Sequence, residues 1–303
     1  MPMASSSRMC ALVLAHHSPE LVGRLLSRLE QFGIASFVHV DRKADIVPFE
    51  ANCQSSTTSF LADRVKLHWG GFSIVQATLN LIEAALCQGD YSHFLLISGD
   101  TYPVRGHAKF CEYLLSGVNH IEIREVAPRD AVYQRIAHVY LPDTDIGALI
   151  QRSGDPTVSR YITAEVISQF PDIQSAFALK SQSFPWRFAK GSQFWCLTRS
   201  AVEQCLKVAR EEPEFVSWFR YSSAPDESFF HSVFLNFLDE PKTIVSPVFT
   251  IWDRTPRPFV FSTTQDLELL DRCRSVLARK FTGQSISVLE HLDATLDSPR
   301  GLE

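Results

Sequence analysis

The sequence predicts an α/β fold with a largely parallel central sheet. Three short apolar runs typical of buried strands, at residues 10–15, 37–40 and 93–98, alternate with longer segments whose apolar residues recur at helical spacing. Strands that alternate with helices in this way build a mostly parallel sheet. Ligands of such sheets bind at the carboxyl ends of the strands, so the segments "HVDRK" and "SGDTYP" are the first places to look for a site.

The first βαβ unit is predicted over residues 10–40. Ser18 is a suitable N-cap residue, and Pro19 suits the first position of a helix. The apolar side chains that follow at helical spacing are Leu21, Leu25, Leu29 and Phe32. A second helix, which precedes the strand at 93–98, is indicated by Val75, Leu79, Ile82 and Leu86.

The second half of the chain is less regular. Residues 140–192 are predicted to form loops and short helices that cover the site, and residues 194–198 form a strand. Ser200 and Glu203 have the spacing of a capping box at the start of the next helix. Residues 243–252 are predicted to be extended.

Composition narrows the function classes. The chain has 303 residues, 45% of them hydrophobic, and without a repeat or a clear linker it is predicted to be one domain over 1–303. A net charge of −5 argues against a nucleic-acid binder. The first 20 residues hold too short an apolar run for a signal peptide or membrane anchor, and seven cysteines without a CxxC pair suit a reducing compartment. A cytoplasmic location is therefore expected.

The usual phosphate-loop, dinucleotide, serine-hydrolase and zinc-protease motifs are absent. Asp143 and Asp145 form a D-x-D, the pattern by which many nucleotide-sugar enzymes hold a metal, but it lies far from the strand at 93–98 and suits a solvated turn. His39 and Asp41 point to the same side of a strand end. Two residues do not make a metal site, so a structural or ligand-contacting role is favoured, and Asp41 suits hydrogen bonds from uracil or ribose.

Three further segments leave alternatives open. Trp69 precedes two glycines in "HWGGFS", which indicates either a tight turn or a close approach of the backbone to a ligand. Lys280 lies at the end of "SVLARKF" (275–281), predicted to be a helix C-terminus, where a cation either complements the helix dipole or binds phosphate. Asp226 and Glu227 open a segment predicted to be helical, and geometry does not choose between them as a general base.

Seven motifs in order point to a family. They are "AHHSPELVGRLLSRL", "HVDRK", "VKLHWGGFSIVQATLNLI", "HFLLISGDTYPV", "KGSQFWCLTRSAVEQCL", "SSAPDESFF" and "SVLARKF". Together they resemble the core-2/I-branching β-1,6-N-acetylglucosaminyltransferase family, which also includes peptide xylosyltransferases and related glucuronosyltransferases. The resemblance runs from about residue 8 to residue 281.

The resemblance implies a GT-A fold, a nucleotide-sugar-binding α/β sandwich, and sugar transfer with inversion at the anomeric carbon. It implies a UDP-sugar donor, with N-acetylglucosamine first and xylose next, and a glycan or another hydroxyl-bearing acceptor. It also implies that no metal and no cofactor is needed. No nucleic-acid partner and no integral membrane segment are expected, which is typical of a bacterial-type member that acts on an intracellular acceptor in glycan biosynthesis.

The resemblance also assigns residues. Asp41 matches the acid of the family's uridine site, with His39 beside it, and Glu227 matches the general base of its P-D-E motif. Lys280 matches the basic residue that meets the UDP diphosphate. Arg257, 23 residues earlier, falls at the spacing of the second phosphate-binding arginine, and the neighbouring Arg254 competes for that role.

Weaker assignments concern the sugars. Trp195 lies where the family places aromatic residues near its sugars, and Trp69 and Asp226 are further candidates. The chain departs from the family at the third strand end, where Thr101 stands in place of the usual acid. Asp100 comes one position earlier and is expected to point elsewhere, so the sugar contacts at this place are open.

Two other functions stay in view. One is a metal-dependent GT-A transferase that uses Asp143 and Asp145. The other is a nucleotide- or carbohydrate-binding protein without turnover, which the threonine at position 101 makes conceivable. Formation of a glycosylated product separates the second from the enzymes.

Overall fold

The computed structural model describes residues 8–144, 147, 171–240, 242–243, 245–252 and 257–296. The strands in these ranges are β1 (Met9–Ala15), β2 (Ala35–Val40), β3 (Thr58–Phe60), β4 (His93–Ser98), β5 (Tyr102–Pro103), β6 (Asn119–His120), β7 (Arg124–Glu125), β8 (Ala189–Lys190), β9 (Trp195–Thr198), β10 (Lys242–Thr243), β11 (Val248–Thr250) and β12 (Leu277–Arg279). The α-helices are α1 (Pro19–Gln31), α2 (Val47–Asn52), α3 (Phe72–Gln88), α4 (His107–Leu114), α5 (Gln134–Ala137), α6 (Pro171–Lys180), α7 (Arg199–Glu211), α8 (Pro213–Arg220), α9 (Phe229–Phe237), α10 (Leu267–Arg272) and α11 (Ile286–Leu296).

The central sheet has seven strands in the order β10-β6-β9-β4-β1-β2-β3. β1 runs parallel to both β2 and β4, whereas β9 is antiparallel to β4 and β6. A smaller sheet has three strands in the order β11-β12-β5, of which β5 directly follows β4 in the chain. The predicted α/β fold with a largely parallel sheet is therefore confirmed, and the strands predicted at 10–15, 37–40 and 93–98 are β1, β2 and β4.

Helices cover both faces of the central sheet, which explains why its inner strands are apolar throughout. Along β1, Ala11 and Val13 belong to a core shared with α1 and α11. Cys10, Leu12 and Leu14 alternate with them and belong to a second core shared with α3, α7 and α9. The period of two along the strand thus divides one apolar run between two hydrophobic cores.

The prediction of a helix that ends with residues 275–281 is wrong, because this segment contains strand β12. β12 pairs with β11 on one side and with β5 on the other, and its Leu277 and Ala278 are completely buried. A short apolar run suits a buried strand as well as a helix, and here the pairing partners decide. Lys280 therefore follows a strand, and the explanation of its charge by a helix dipole no longer applies.

The caps of two helices also differ from expectation. The predicted capping box of Ser200 and Glu203 is wrong, because α7 begins two residues earlier, at Arg199, and Thr198 caps it by accepting from the N–H of Ala201 at 3.3 Å. Glu203 instead pairs with Arg199 one turn away, at 3.0 Å. Ser18 does occupy the N-cap position of α1, but its side chain makes no capping hydrogen bond. In the described ranges, no helix combines the length and the apolar character needed to span a membrane.

Candidate active site

The carboxyl ends of β1, β2 and β4 meet at one edge of the central sheet, which we call the carboxyl edge. β1 is in register with β2 and with β4, and extending both pairings by one or two residues places His16 between Asp41 and Asp100. The N–H of Asp41 donates to the carbonyl of Ala15 at 2.8 Å, which holds this arrangement beyond the strand ends. Two predicted site residues, Asp41 and Asp100, are therefore brought together.

Asp41 is buried and anchors the segment that leads to α3. Its Oδ1 accepts from the backbone N–H groups of Lys43 at 3.0 Å and Leu67 at 3.2 Å. Its Oδ2 lies 3.4 Å from Nζ of Lys43, whose side chain is half exposed. Oδ1 thus stabilises the backbone of two neighbouring segments, whereas Oδ2 contacts only a half-exposed lysine side chain among the described residues.

His39 is completely buried beside Asp41. Its Nε2 accepts from the N–H of Val65 at 2.8 Å, so the imidazole joins β2 to the segment that follows β3. Burial lowers the pKa of His39, which keeps the ring neutral. The geometry accounts for a structural role, while direct contact of His39 with a donor stays a prediction.

Asp100 forms a buried ion cluster with Arg279 and Lys280. Its side chain is 4% exposed and lies 3.2 Å from Nε and from Nη2 of Arg279 and 3.1 Å from Nζ of Lys280. The hydroxyl of Ser98 also donates to it at 2.5 Å. Burial alone would favour the neutral acid, but the charge and hydrogen bonds of Arg279, with Lys280 and Ser98, hold the pKa of Asp100 well below its usual range.

This cluster lies beside Thr101, the position at which the usual acid is missing. Thr101 is completely buried, and its hydroxyl lies 3.1 Å from that of Ser98. Asp100 points instead towards Lys280, the residue predicted to meet the diphosphate. From the sequence, Asp100 is expected to point elsewhere than the usual acid does. In the structure its side chain points towards the residues proposed to bind phosphate.

Asp226 and Glu227 lie on a separate turn of 3-10 helix, Pro225–Glu227, which we call the PDE turn. The prediction that they open the first turn of the following α-helix is wrong, because Ser228, with φ −145°, interrupts the helical backbone before α9 begins. Ala224 precedes the turn with φ 49°, in the left-handed region, and its N–H donates to the carbonyl of Gly70 at 2.9 Å. The PDE turn is therefore fastened to the glycine turn in front of α3.

Two cations bind the carboxylate of Glu227. Its Oε2 accepts from Nη1 of Arg135 at 2.7 Å and lies 3.7 Å from Nζ of Lys190, and the side chain is 32% exposed. Asp226 has a different environment, since its Oδ1 is buried without a hydrogen-bond partner among the described residues. Burial, with a smaller effect from the charge of Glu227, raises the pKa of Asp226 to about 7.

Two short segments connect the PDE turn to the carboxyl edge. The segment 67–70 runs from the hydrogen bond with Asp41 to the hydrogen bond with Ala224. On the other side, the N–H of Gly191 donates to the carbonyl of Glu227 at 2.9 Å. Three residues on, the ring of Phe194 lies under the guanidinium of Arg279, 4.9 Å from its centroid. The proposed donor and base residues thus belong to one continuous region.

The two tryptophans proposed as sugar contacts differ in exposure. Trp195 is completely buried and packs against Phe230 with ring centroids 5.3 Å apart, so its ring faces the core instead of a sugar. Trp69 is 75% exposed and directly precedes Gly70, which binds the residue in front of the PDE turn. Of the two, Trp69 is the one with an exposed ring, and its contact with a sugar stays a prediction.

Other predicted residues lie in less defined positions. Arg257 is exposed, and its side chain forms no hydrogen bond or ion pair with the described residues. Arg254 and Asp145 lie outside the ranges that the structure describes. Asp143 lies in a turn, but its carboxylate caps α3 by accepting from the N–H of Ser73 at 2.9 Å and from its hydroxyl at 2.5 Å. Within the described part of the chain, no three His, Cys, Asp or Glu side chains are grouped as metal ligands.

Sequence reasoning missed Arg135, Lys190 and the role of Arg279. Arg135 is 92 residues from Glu227 and lies in the short helix α5, so no local pattern connects the two. Lys190 is the first residue of the "KGSQF" motif, so the motif itself could have pointed to this lysine. The prediction rests only on the aromatic residue that follows the motif, Trp195. Arg279 lies on β12, in a segment that the sequence predicts to be helical, and its pairing with Asp100 depends on that strand.

Comparison with known proteins supplies the family. No curated protein matches the chain. Among solved structures, the crystal structure of HddC from Yersinia pseudotuberculosis is similar at 22% identity over 39% of this chain and 59% of that chain, and its TM-score of 0.27 is too low to support an argument. The sequence model of the Core-2/I-branching enzymes matches residues 24–267. With most of the chain matched and the PDE turn joined to the carboxyl edge of a parallel sheet, the chain belongs to the Core-2/I-branching enzyme family, whose members are glycosyltransferases with a GT-A-like fold.

Proposed function

We propose that this protein is an inverting, metal-independent glycosyltransferase that moves a sugar from a UDP-sugar to an acceptor hydroxyl. N-acetylglucosamine is the first candidate for the sugar and xylose the second. The observation that carries the proposal is the connection of a basic ion cluster at the carboxyl edge to a partly exposed carboxylate on the PDE turn. That combination suits a diphosphate leaving group at one end of a site and a proton acceptor at the other.

The donor is assigned to the carboxyl edge. Asp41 would accept hydrogen bonds from the uridine, since Oδ2 is the oxygen that the fold does not use. Lys280 would face the diphosphate, with its charge already held in place by Asp100. Arg257 is a second cation for the phosphates because its guanidinium is free of the described residues. These charges offset the negative charge that develops on the departing UDP.

The transfer step needs a base on the opposite side of the sugar. The acceptor oxygen forms a bond to the anomeric carbon while the bond from that carbon to the diphosphate oxygen breaks, and its electrons leave with UDP. The proton of the acceptor hydroxyl passes to the carboxylate of Glu227. Arg135 and Lys190 orient that carboxylate, and its partial exposure leaves it within reach of an acceptor.

A panel of UDP-sugars tests the proposal. A ligand present at 100 times its Kd should stabilise the fold by roughly 2.7 kcal/mol, which a thermal shift detects readily. Donors that bind are then assayed for slow hydrolysis and for transfer to simple sugar acceptors. Binding without any product supports the non-catalytic alternative, and the absence of UDP binding contradicts both.

Metal independence is a first prediction. Lys280 and Arg257 supply the positive charge near the leaving group, so dialysis against EDTA should leave the transfer rate nearly unchanged. The rate is measured before chelation, after it, and again after separate addition of Mg²⁺ and Mn²⁺. Loss of activity that either cation restores would contradict the proposal and favour a metal-dependent transferase that uses Asp143 and Asp145.

Weaker UDP binding is predicted for Lys280→Ala and Arg257→Ala. A charge-assisted hydrogen bond to phosphate contributes on the order of 1.5–3 kcal/mol, so each change should raise the Kd for UDP roughly 10- to 150-fold in calorimetric titration. Lys207→Ala is the matched control, because Lys207 lies on the exposed face of α7, 3.9 Å from Glu211. A variant that binds UDP as the wild type does shows that its residue takes no part in phosphate binding.

A further inference from the structure

His16 and His17 follow β1 at the carboxyl edge, and the donor site described above gives neither of them a role. Their ring centroids are 4.1 Å apart. His16 is exposed and His17 is half-buried. The register of β1 with β2 and β4 places this pair beside the carboxylates proposed to organise the donor.

One ring nitrogen of His17 is engaged and the other is open. Nδ1 lies 3.0 Å from the hydroxyl oxygen of Ser18. Nε2 forms no hydrogen bond with the residues that the structure describes. Ser18 has φ 55°, in the left-handed region, and it turns the backbone sharply between the strand and α1. The ring is therefore oriented by its neighbour, and Nε2 remains for a ligand.

The charged groups around His17 belong to the proposed phosphate-binding side. They are Lys280 and Arg279, which come from β12 and its end, and Asp100, which follows β4. Asp100 is paired with both cations, so the strand ends beside the two histidines carry two positive charges and one negative charge. Burial and the charge of Lys280 lower the pKa of His17, which favours the neutral ring.

We propose that His17 is a diphosphate-binding residue of the donor site and that its imidazole takes up a proton from solvent when UDP binds. This inference rests on the proposed function. A diphosphate beside Lys280 brings several negative charges next to the ring and so favours the imidazolium. The doubly protonated ring donates from Nε2 to a phosphate oxygen and from Nδ1 to the hydroxyl of Ser18. His17 would then be a third cation for the leaving group, supplied only when the donor is present.

Calorimetric titration with UDP tests the uptake of the proton. Titrations at pH 6.5 in buffers of different ionisation enthalpy give the number of protons that bind with UDP. We expect the wild type to take up more protons than His17→Gln, by up to about one per site. Between pH 8 and pH 6, the affinity of the wild type for UDP should rise relative to that of His17→Gln by roughly tenfold. UDP's own titration is common to both proteins and cancels in the comparison.

Two further variants sharpen the result. His107→Gln is the control, because His107 lies beside Phe32 at the opposite end of α1, with ring centroids 5.5 Å apart, and it should match the wild type. His16→Gln shows which of the two neighbouring imidazoles takes up the proton. UDP binding with equal proton uptake in wild type and His17→Gln would overturn this inference alone, as would uptake that only His16→Gln abolishes. A wild type that does not bind UDP would overturn the proposed function and this inference with it.

Discussion

Replacement of Glu227 by glutamine is expected to lower the rate of sugar transfer by roughly 10²–10⁴, the usual contribution of a general base. Glutamine keeps the shape of the side chain and can still accept from Arg135, so the fold should persist. UDP affinity should be unchanged, because the carboxylate of Glu227 pairs with Arg135 and Lys190, which are not among the proposed phosphate ligands. The loss should therefore appear in turnover and not in donor binding.

Asp226 is the competing candidate for the base. Its pKa of about 7 suits proton transfer at neutral pH better than an ordinary carboxylate does. Asp226 as a residue is partly exposed, as Glu227 is, but its Oδ1 is buried without a partner among the described residues. A base must reach the hydroxyl that it deprotonates, so Asp226→Asn should lose less activity than Glu227→Gln.

The measurement must report the chemical step. Single-turnover transfer from a bound UDP-sugar, together with UDP titration of each variant, separates turnover from binding. Glu203→Gln is a suitable control, because this glutamate lies on α7. Among the described residues its ion pair is with Arg199, at 3.0 Å. Transfer by Glu227→Gln at a near wild-type rate, with chemistry rate-limiting, would place the base elsewhere.

The donor half of the site could be predicted from sequence because it follows from strand order. Buried apolar runs identify β1, β2 and β4, and parallel strands bring the residues at their ends to one edge. Asp41 and Asp100 meet there for that reason alone. The destination of the Asp100 side chain was not predictable, because Arg279 ends, and Lys280 follows, a strand that is only three residues long.

The base half depends on contacts that are distant in the chain. The PDE turn is fastened by a hydrogen bond between Ala224 and Gly70, which no helical periodicity contains. Arg135 reaches Glu227 from a helix of four residues. Trp195 is hidden by its packing on Phe230, and a tryptophan after "KGSQF" suits a core as well as a sugar site.

The second large effect is expected in stability, from Asp100→Asn. This change removes the only carboxylate that the described residues place against Arg279 and Lys280, whose side chains are 16% and 26% exposed. It also turns an amide N–H₂ group towards donors. Breaking a buried ion pair by removal of one partner costs on the order of 3–5 kcal/mol, so the free energy of unfolding in urea at pH 7 should fall by about that amount.

The pH dependence of the free energy of unfolding tests the same prediction a second time. The pKa of Asp100 is lower in the folded protein than in the unfolded chain, so its stabilisation is complete above about pH 4 and is lost only as the pH falls through the folded value. The difference between wild type and Asp100→Asn should therefore be the same at pH 5 and pH 7. A difference that shrinks between these values would contradict a carboxylate held ionised by Arg279 and Lys280.

Asp90→Asn is the matched control for the loss of one carboxylate. Asp90 lies 3.2 Å from Arg199, but its side chain is 85% exposed, and solvent screens such a pair. Its urea midpoint should stay at the wild-type value. If Asp100→Asn also unfolds at that midpoint, the cluster contributes no net stability, and the carboxylate must be explained by its effect on Lys280 alone. If it unfolds early, the residue one position before Thr101 has taken a structural role that fixes the cation next to the proposed leaving group.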